Sequence, residues 1–327
     1  MGAVTALVTG AAGFVGSTVA ARLLADGHDV VGVDAFTDYY DPRVKRANLQ
    51  RLAHPRFRLV EADLTAADLA PLLADAELVF HQAGQPGVRA SWGKAFERYT
   101  LDNVHATQRL LESAIDAPRL RRFVYASSSS VYGDAERYPT TETDLPRPIS
   151  PYGVTKLAAE HLCTLYARTR GLPTVSLRYF TVYGPGQRPD MAFTRFCRAV
   201  HDGRPIEVYG SGEQVRDFTY VDDVVEANMR VALADAAAVP AGSVFNVAGG
   251  ASTTVNEVLE LLGRISGREV RVDRGPAVAG DVRRTGGETT ALRRATGWDP
   301  KIGLEEGLTQ QYRWATSTPT DPPAPAH

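Results

Sequence analysis

A chain of 327 residues, 44% hydrophobic and 23% charged, has the composition of an ordinary globular protein large enough for one big core with a lobe attached. A formal net charge of -2 leaves no electrostatic footprint for a nucleic acid, though a local arginine cluster can still serve a small anion. Two cysteines, Cys163 and Cys197, exclude a disulfide framework. No apolar stretch reaches the roughly 18–20 residues that span a bilayer, and the opening MGAVTALVTG has no basic leader, so a cytoplasmic location without membrane contact is expected.

The first half alternates short apolar runs with helical patterns, which predicts βαβ units and a parallel sheet. Ala3–Thr9, Asp29–Asp34, Phe57–Glu61, Leu78–His81, Phe123–Ala126 and Val175–Tyr179 read as strands. Phe14–Ala25, Arg43–Ala53, Ala66–Ala74, Ala95–Ala117 and a long segment from Pro151 to Arg170 read as helices, Pro151 suiting a first turn. After residue 180 the regularity weakens. Short strands (Ile206–Tyr209, Val244–Val247, Val270–Val272) mix with helices near Met191–Asp202, Asp222–Ala234, Thr254–Ile265 and Leu304–Ala315. The expected fold is therefore α/β: a Rossmann-type doubly wound parallel sheet mainly over 1–180, and a smaller α/β lobe mainly over 181–315 with chain excursions between the two. The proline-rich end, 316–327, is expected to be disordered.

VTGAAGFVGS sets Gly10, Gly13 and Gly16 between the first strand and first helix, where backbone can approach a pyrophosphate at a helix N-terminus. Asp34 ends the second strand, where a carboxylate accepts hydrogen bonds from an adenosine ribose and repels a 2′-phosphate; this selects NAD over NADP. Asp63 follows the third strand, either as a partner of the adenine amino group or as a helix-terminal acid. Asn103 lies in a predicted long helix, either bracing the loop after the fifth strand or as a satisfied polar core residue.

Tyr152 and Lys156 form Y-x-x-x-K, so both share one helix face. A phenol near pKa 10 is a poor base at neutral pH; a lysine one turn away and the positive nicotinamide are expected to draw it down. Lys156 also suits the nicotinamide ribose. Just upstream, YASSSSVYG ends the fifth strand, at the sheet edge where ligands bind. Ser128 is expected to hydrogen-bond the reacting hydroxyl beside Tyr152, and Ser129 and Ser130 either face the substrate or line the loop. No metal ligand set is expected.

The glycine motif, Asp34, SSSSVYG, Tyr152-x-x-x-Lys156 and RDFTYVDD together resemble an extended short-chain dehydrogenase/reductase of the NAD-dependent epimerase/dehydratase family, over residues 1 to about 315. DAFTDYYDPRVKRANL, HQAGQPGVRAS and RYFTVYGPGQRPDMAF are similar to the UDP-glucuronate 4-epimerase branch. The resemblance implies a bound NAD, a UDP-sugar substrate in the smaller lobe, and a homodimer through the helices near Ala95–Ala117 and Tyr152–Arg170. It implies a cycle in which Tyr152 takes the O4 proton while C4 gives hydride to NAD, the 4-keto sugar swings over, and hydride returns to the other face. It also assigns Phe14, Val15, Leu64, Gln82, Ala83 and Tyr179 to the cofactor, and Phe180 and Thr181 to the nicotinamide and sugar region. Arg216 is assigned to the diphosphate (a rim salt bridge being the alternative) and Asp281 to the uridine ribose (or a turn cap).

A uronate adds a carboxylate, which a planar guanidinium grips with two parallel hydrogen bonds. Arg188 matches the branch position for that contact, and Arg89 is a second candidate. Decarboxylases of the family resemble T-S-E-V-Y-G and 4,6-dehydratases T-D-E-V-Y-G at the serine loop, where this chain carries Ser128-Ser129-Ser130-Val131-Tyr132-Gly133. Ser130 in place of glutamate leaves no evident base for C5 deprotonation, so reversible C4 epimerisation of UDP-glucuronate is expected, with decarboxylation or epimerisation of a neutral UDP-hexose as alternatives. A non-enzymatic NAD-sensing role is remote, since such relatives typically lose the tyrosine or lysine.

Overall fold

The computed structural model describes residues 2–276 and 282–317. Strands β1 (Thr5–Thr9), β2 (Asp29–Asp34), β3 (Phe57–Glu61), β4 (Leu78–His81), β5 (Arg122–Ser128) and β6 (Thr174–Tyr179) lie in one seven-stranded sheet. Its order is Ser243–Val247, β6, β5, β4, β1, β2, β3, with every neighbouring pair parallel. Successive side chains leave opposite faces of a strand, and the core divides accordingly. Ala6 and Val8 pack with Val19 and Leu23 of helix α1 (Phe14–Ala25) and with Val224 and Val231 of the helix Val221–Leu233. Leu7 joins Val79, Phe123 and Tyr125 against Leu110, Leu111 and Cys163 on the other face. Helices thus cover both faces, and strand order reverses between β1 and β4, where such sheets open a crevice.

Three segments depart from the sequence reading. The run near Val244 is a strand of the main sheet, paired with β6, and not of the lobe. The expected helix Ala95–Ala117 is a broken path: 3-10 turns at Arg89–Ser91 and Gly93–Ala95, a helical turn Phe96–Tyr99, a π-helical stretch Thr100–His105, then an α-helix only from Ala106 to Ile115. The last helix runs Leu304–Ser317, so Thr316 and Ser317 are ordered helix and not tail. The helix Pro151–Arg170 starts as expected. Ser150 accepts a hydrogen bond from the Gly153 N–H and Pro151 opens the first turn, which sets where Tyr152 lies.

In the lobe, Phe193, Phe196, Val258, Leu262 and Leu308 share one core. Ile206–Tyr209 pairs with Val272–Gly275, and Val215–Asp217 pairs antiparallel with Ser252–Thr254. Among the described residues no helix is long and apolar enough to cross a membrane.

Beneath the crevice, His81 is fully buried between Thr9 Oγ1 at 2.7 Å and Thr107 Oγ1 at 2.9 Å. Burial, aided by the Lys156 charge, pushes its imidazole down to about 3. The unfolded chain takes that proton near pH 6.5 and the folded chain only near pH 3, so stability that is intact above pH 6.5 is lost as pH falls through that window. Between pH 7 and pH 5 this group should remove about 2 kcal/mol in urea unfolding. His81→Gln should flatten that slope; an identical slope in the mutant would assign it to other groups.

Candidate active site

The carboxyl ends of β1, β2, β4, β5 and β6 surround one cavity of about 440 Å³. Gly10 turns the chain at φ 67, and an added Cβ there would stand 2.8 Å from the Ala83 backbone nitrogen. A Cβ on Gly16 would stand 2.1 Å from the Gly10 carbonyl oxygen, so Gly16 lets α1 pack closely on the loop while it also lines the cavity. Gly13 is the glycine that opens backbone to the cavity: a Cβ there would meet only the Gly10 carbonyl, at 3.1 Å. No side chain caps α1 and no acid lies in its first turn, which leaves its N–H groups for an anion. These features fit the diphosphate of a dinucleotide.

Asp34 is 8% exposed; its carboxylate accepts from the N–H groups of Ala12 (3.1 Å) and Phe36 (2.9 Å). Lys45 lies beside it, Nζ 3.6 Å from Asp34 Oδ1 and 3.2 Å from Thr37 Oγ1, and lines the same cavity. The sequence reading missed Lys45, and also Tyr39 and Tyr40, which line the cavity from the loop before helix α2 (Pro42–Gln50). The signal was present: in a chain whose basic residues are nearly all arginine, one of its few lysines sits just past an acidic strand end.

Phe14, Val15, Leu64, Gln82, Ala83 and Tyr179 all reach the cavity. The Tyr179 hydroxyl donates to Gln82 Oε1 at 3.1 Å, tying β6 to the loop after β4. Asp63 lines the wall; one carboxylate oxygen accepts from both the N–H and hydroxyl of Thr65 (2.8 and 2.7 Å), a local turn and not the start of a helix, and its other oxygen is 4.0 Å from Arg98. Asn103 lies outside the lining. It braces the loop after β4, and not after β5, accepting from the Gln85 N–H at 2.7 Å while its amide reaches the Gln85 carbonyl and Thr155 Oγ1. Thr155 precedes Lys156, so this bridge couples the loop to the Y-x-x-x-K helix.

Tyr152, Lys156, Ser128, Ser129, Ser130, Thr181 and Arg188 converge on the cavity. Ser128 and Lys156 are 8% and 7% exposed. Ser128 Oγ caps the following turn by accepting from the Ser130 N–H at 3.1 Å. Burial pushes the Tyr152 phenol up, while a hydrogen bond with Ser128 and the charge of Arg188 pull it down; the net is upward. Lys156 takes no part in this balance: its ammonium stands over the Tyr125 ring, 4.7 Å from the centroid, and the nicotinamide charge, the other half of the expected pull, comes only with bound NAD. Burial in turn pushes Lys156 down to about 8.

The expected substrate arginines separate. Arg188 reaches the cavity, but Asp190 already holds its fork, Nε to Oδ1 and Nη2 to Oδ2, both at 2.9 Å. Two of its five donors are thereby used, leaving Nη1 and one Nη2 proton for another acceptor. Burial lowers its pKa, but Asp190, Tyr39 and Tyr40 outweigh burial and the net is upward. Arg89 does not line the cavity; it is exposed and stacks over Tyr209, 4.3 Å from the ring centroid. Arg216 is also outside the lining, with Nη1 on the Val215 carbonyl at 2.9 Å. The Arg89 segment turns its side chain toward Tyr209 of the lobe, which loop spacing alone does not encode. Asp281 lies outside the described residues.

Residues 6–248 match the profile of the NAD dependent epimerase/dehydratase family. The chain is 40% identical to the uncharacterized UDP-glucose epimerase YtcB of Bacillus subtilis, over 95% of this chain and 98% of that one. It is 38% identical to a probable UDP-glucuronate 4-epimerase of Rhizobium meliloti, over 94% and 96%. A crystal structure of UDP-glucuronic acid 4-epimerase from Bacillus cereus, in complex with UDP-glucuronic acid and NAD, superposes with a TM-score of 0.92 at 38% identity, covering 96% of this chain and 99% of that one. With a dinucleotide cradle at the switch point and Tyr152, Lys156 and Ser128 facing it, the chain belongs to the NAD dependent epimerase/dehydratase family.

Proposed function

We propose that the protein interconverts UDP-glucuronate and UDP-galacturonate by inverting C4 through a 4-keto sugar. The observation that carries this reading is the convergence of Tyr152, Ser128 and Lys156 with the guanidinium of Arg188 in one cavity. Bound NAD supplies a reversible hydride acceptor. Tyr152 removes the O4 proton and later returns it, and Ser128 steadies that oxygen by a hydrogen bond. Lys156 holds the nicotinamide ribose. Thr181, Ser129 and Ser130 offer rotatable hydroxyls to a ring that must present both faces. Arg188 takes the C5 carboxylate through its free Nη edge. Arg216 serves the diphosphate and Asp281 the uridine ribose in this reading, an assignment that rests on their matching the family's positions. Incubation with UDP-glucuronate and no added NAD, followed by product separation, tests it, because the cycle regenerates its cofactor.

Epimerisation of a neutral UDP-hexose is the second reading, favoured by the 40% identity to a relative named for UDP-glucose. Arg188 in the cavity wall weighs for the uronate, since a neutral sugar leaves that cation without a ligand charge.

A homodimer belongs to the same reading. Phe96, Leu101, Val154 and Leu165 are exposed apolar side chains on the segments expected to pair, and Val154 and Leu165 share one face of the helix Pro151–Arg170. Sedimentation should give twice the chain mass, and Val154→Arg/Leu165→Arg should give one chain mass. A monomeric wild type, or a mutant still dimeric, would remove this interface. The buried free thiols of Cys163 and Cys197 support a reducing, cytoplasmic setting, which cell fractionation checks.

A further inference from the structure

One buried ionic network touches the catalytic helix and enters none of the steps above. Glu160 lies one helical turn past Lys156, on the same face. Its side chain is 2% exposed and that of its partner Arg178, on β6, is 5% exposed. The pair is bidentate: Arg178 Nε reaches Glu160 Oε2 at 3.0 Å and Nη2 reaches Oε1 at 2.6 Å. Ser127, next to Ser128 on β5, donates to Glu160 Oε2 at 2.6 Å. Arg178 Nη1 donates to the Tyr132 hydroxyl at 2.7 Å, and that hydroxyl donates to Asn246 Oδ1 at 2.7 Å. Ser127, Arg178 and Asn246 stand side by side across the register of three adjacent strands.

Burying such a pair costs several kcal/mol per ion in desolvation, and well-packed apolar side chains of the same volume hold a fold as well or better. Cohesion alone therefore does not account for it. What an apolar pair cannot do is place a fixed negative charge behind Lys156, or pin the end of β5 that carries Ser128.

We infer that Glu160, held by Arg178, is a positioning residue for the reaction: it locks the Tyr152–Lys156 helix to the ends of β5 and β6 and keeps the Lys156 ammonium charged in a dry site. This rests on the catalytic reading of Tyr152 and Lys156. The groups facing Lys156 are His81 from β4, Tyr125 from β5, and Glu160 and Cys163 from its own helix. His81 is neutral at working pH, and the Cys163 thiol is pushed far up by burial and so stays neutral as well. Glu160 is then the formal anion among them. Burial drives Lys156 down to about 8 even with Glu160 in place, so a further loss of negative potential brings its midpoint toward neutral pH.

The test uses the chain's lysines directly. Lys45, Lys94, Lys156 and Lys301 are the only four, so protein labelled with ¹³C at lysine Cε gives a spectrum simple enough to titrate, with Lys156→Met as assignment control. Glu160→Gln should move the Lys156 midpoint acidward by about one pH unit. Glu160→Gln/Arg178→Gln removes both charges, restores thermal stability toward wild type, and should move the midpoint in the same direction by less. The double variant decides the matter if the single one does not fold. In turnover, kcat should fall about fivefold at pH 8 with KM nearly unchanged, and its alkaline limb should shift with the NMR midpoint. A folded variant lacking Glu160 with the wild-type Lys156 midpoint overturns the inference whatever the substrate proves to be. Absence of turnover on UDP-glucuronate with a shifted midpoint overturns the substrate reading instead.

Discussion

Tyr152→Phe is expected to lower turnover by at least about 10²-fold, the range for removing a general acid/base. The substitution is conservative everywhere except at the reacting atom. Phenylalanine keeps the edge-to-face contact with Tyr99, whose ring centroid is 6.3 Å away, and leaves the Ser150 cap untouched. What is lost is the hydroxyl that Ser128 contacts and that must take and return the O4 proton. Because the phenol's pKa lies above its ordinary value, the free base is scarce at neutral pH, and turnover of the wild type should rise with pH on its acidic limb. Binding should change little, since among the described residues only Ser128 is hydrogen-bonded to that oxygen. Single-turnover rates at matched cofactor loading check this; near-normal turnover in the mutant would take Tyr152 out of the mechanism.

Arg188→Ala should discriminate between substrates rather than slow all of them. A uronate carboxylate left without its partner in a desolvated site costs about 2–5 kcal/mol, by analogy with truncating one member of a buried charge pair, or roughly 30- to several thousand-fold in kcat/KM. UDP-glucose lacks that charge and should lose far less. Asp190 complicates the sign of any smaller effect, because removing Arg188 also strands that carboxylate near the site. Arg188→Ala/Asp190→Ala removes both and should keep the same preference pattern. Comparing kcat/KM for UDP-glucuronate and UDP-glucose in the three proteins checks it, and equal losses on both sugars would refute the assignment.

The parts of the site carried by local pattern were legible in the sequence. Gly10, Gly13 and Gly16 sit at a strand-to-helix turn, and Tyr152 and Lys156 on a helix whose proline start is written in the chain. The parts set by distant pairing were not. Ser243–Val247 (SVFNV) is a short strand whose sequence states nothing about its partner, and only the sheet shows that it lies beside β6. Asn103 was a residue of interest, but the π-helical stretch that aims it at Gln85 and Thr155 has no sequence period of its own. The expected influence of Lys156 on Tyr152 rested on helical spacing, which puts two side chains on one face without fixing where their tips go. Here the long lysine reaches over Tyr125, and Ser128 and Arg188 are the groups that draw the phenol down, against a larger upward push from burial. Lys45 and Glu160 were overlooked because each draws its meaning from a partner far along the chain or across the sheet.

The product itself tests the account most directly. Once C4 is a ketone, the bond from C5 to the carboxylate breaks easily only when it stands roughly perpendicular to the carbonyl plane. Arg188 and the hydroxyls of Ser129, Ser130 and Thr181 are expected to hold the carboxylate near that plane while still letting the ring turn over. Enzyme purified without added NAD and given UDP-glucuronate labelled at the carboxyl carbon should therefore return the label in UDP-galacturonate, with little UDP-pentose. Release of labelled CO2 in step with turnover would make the protein a decarboxylase and contradict the account.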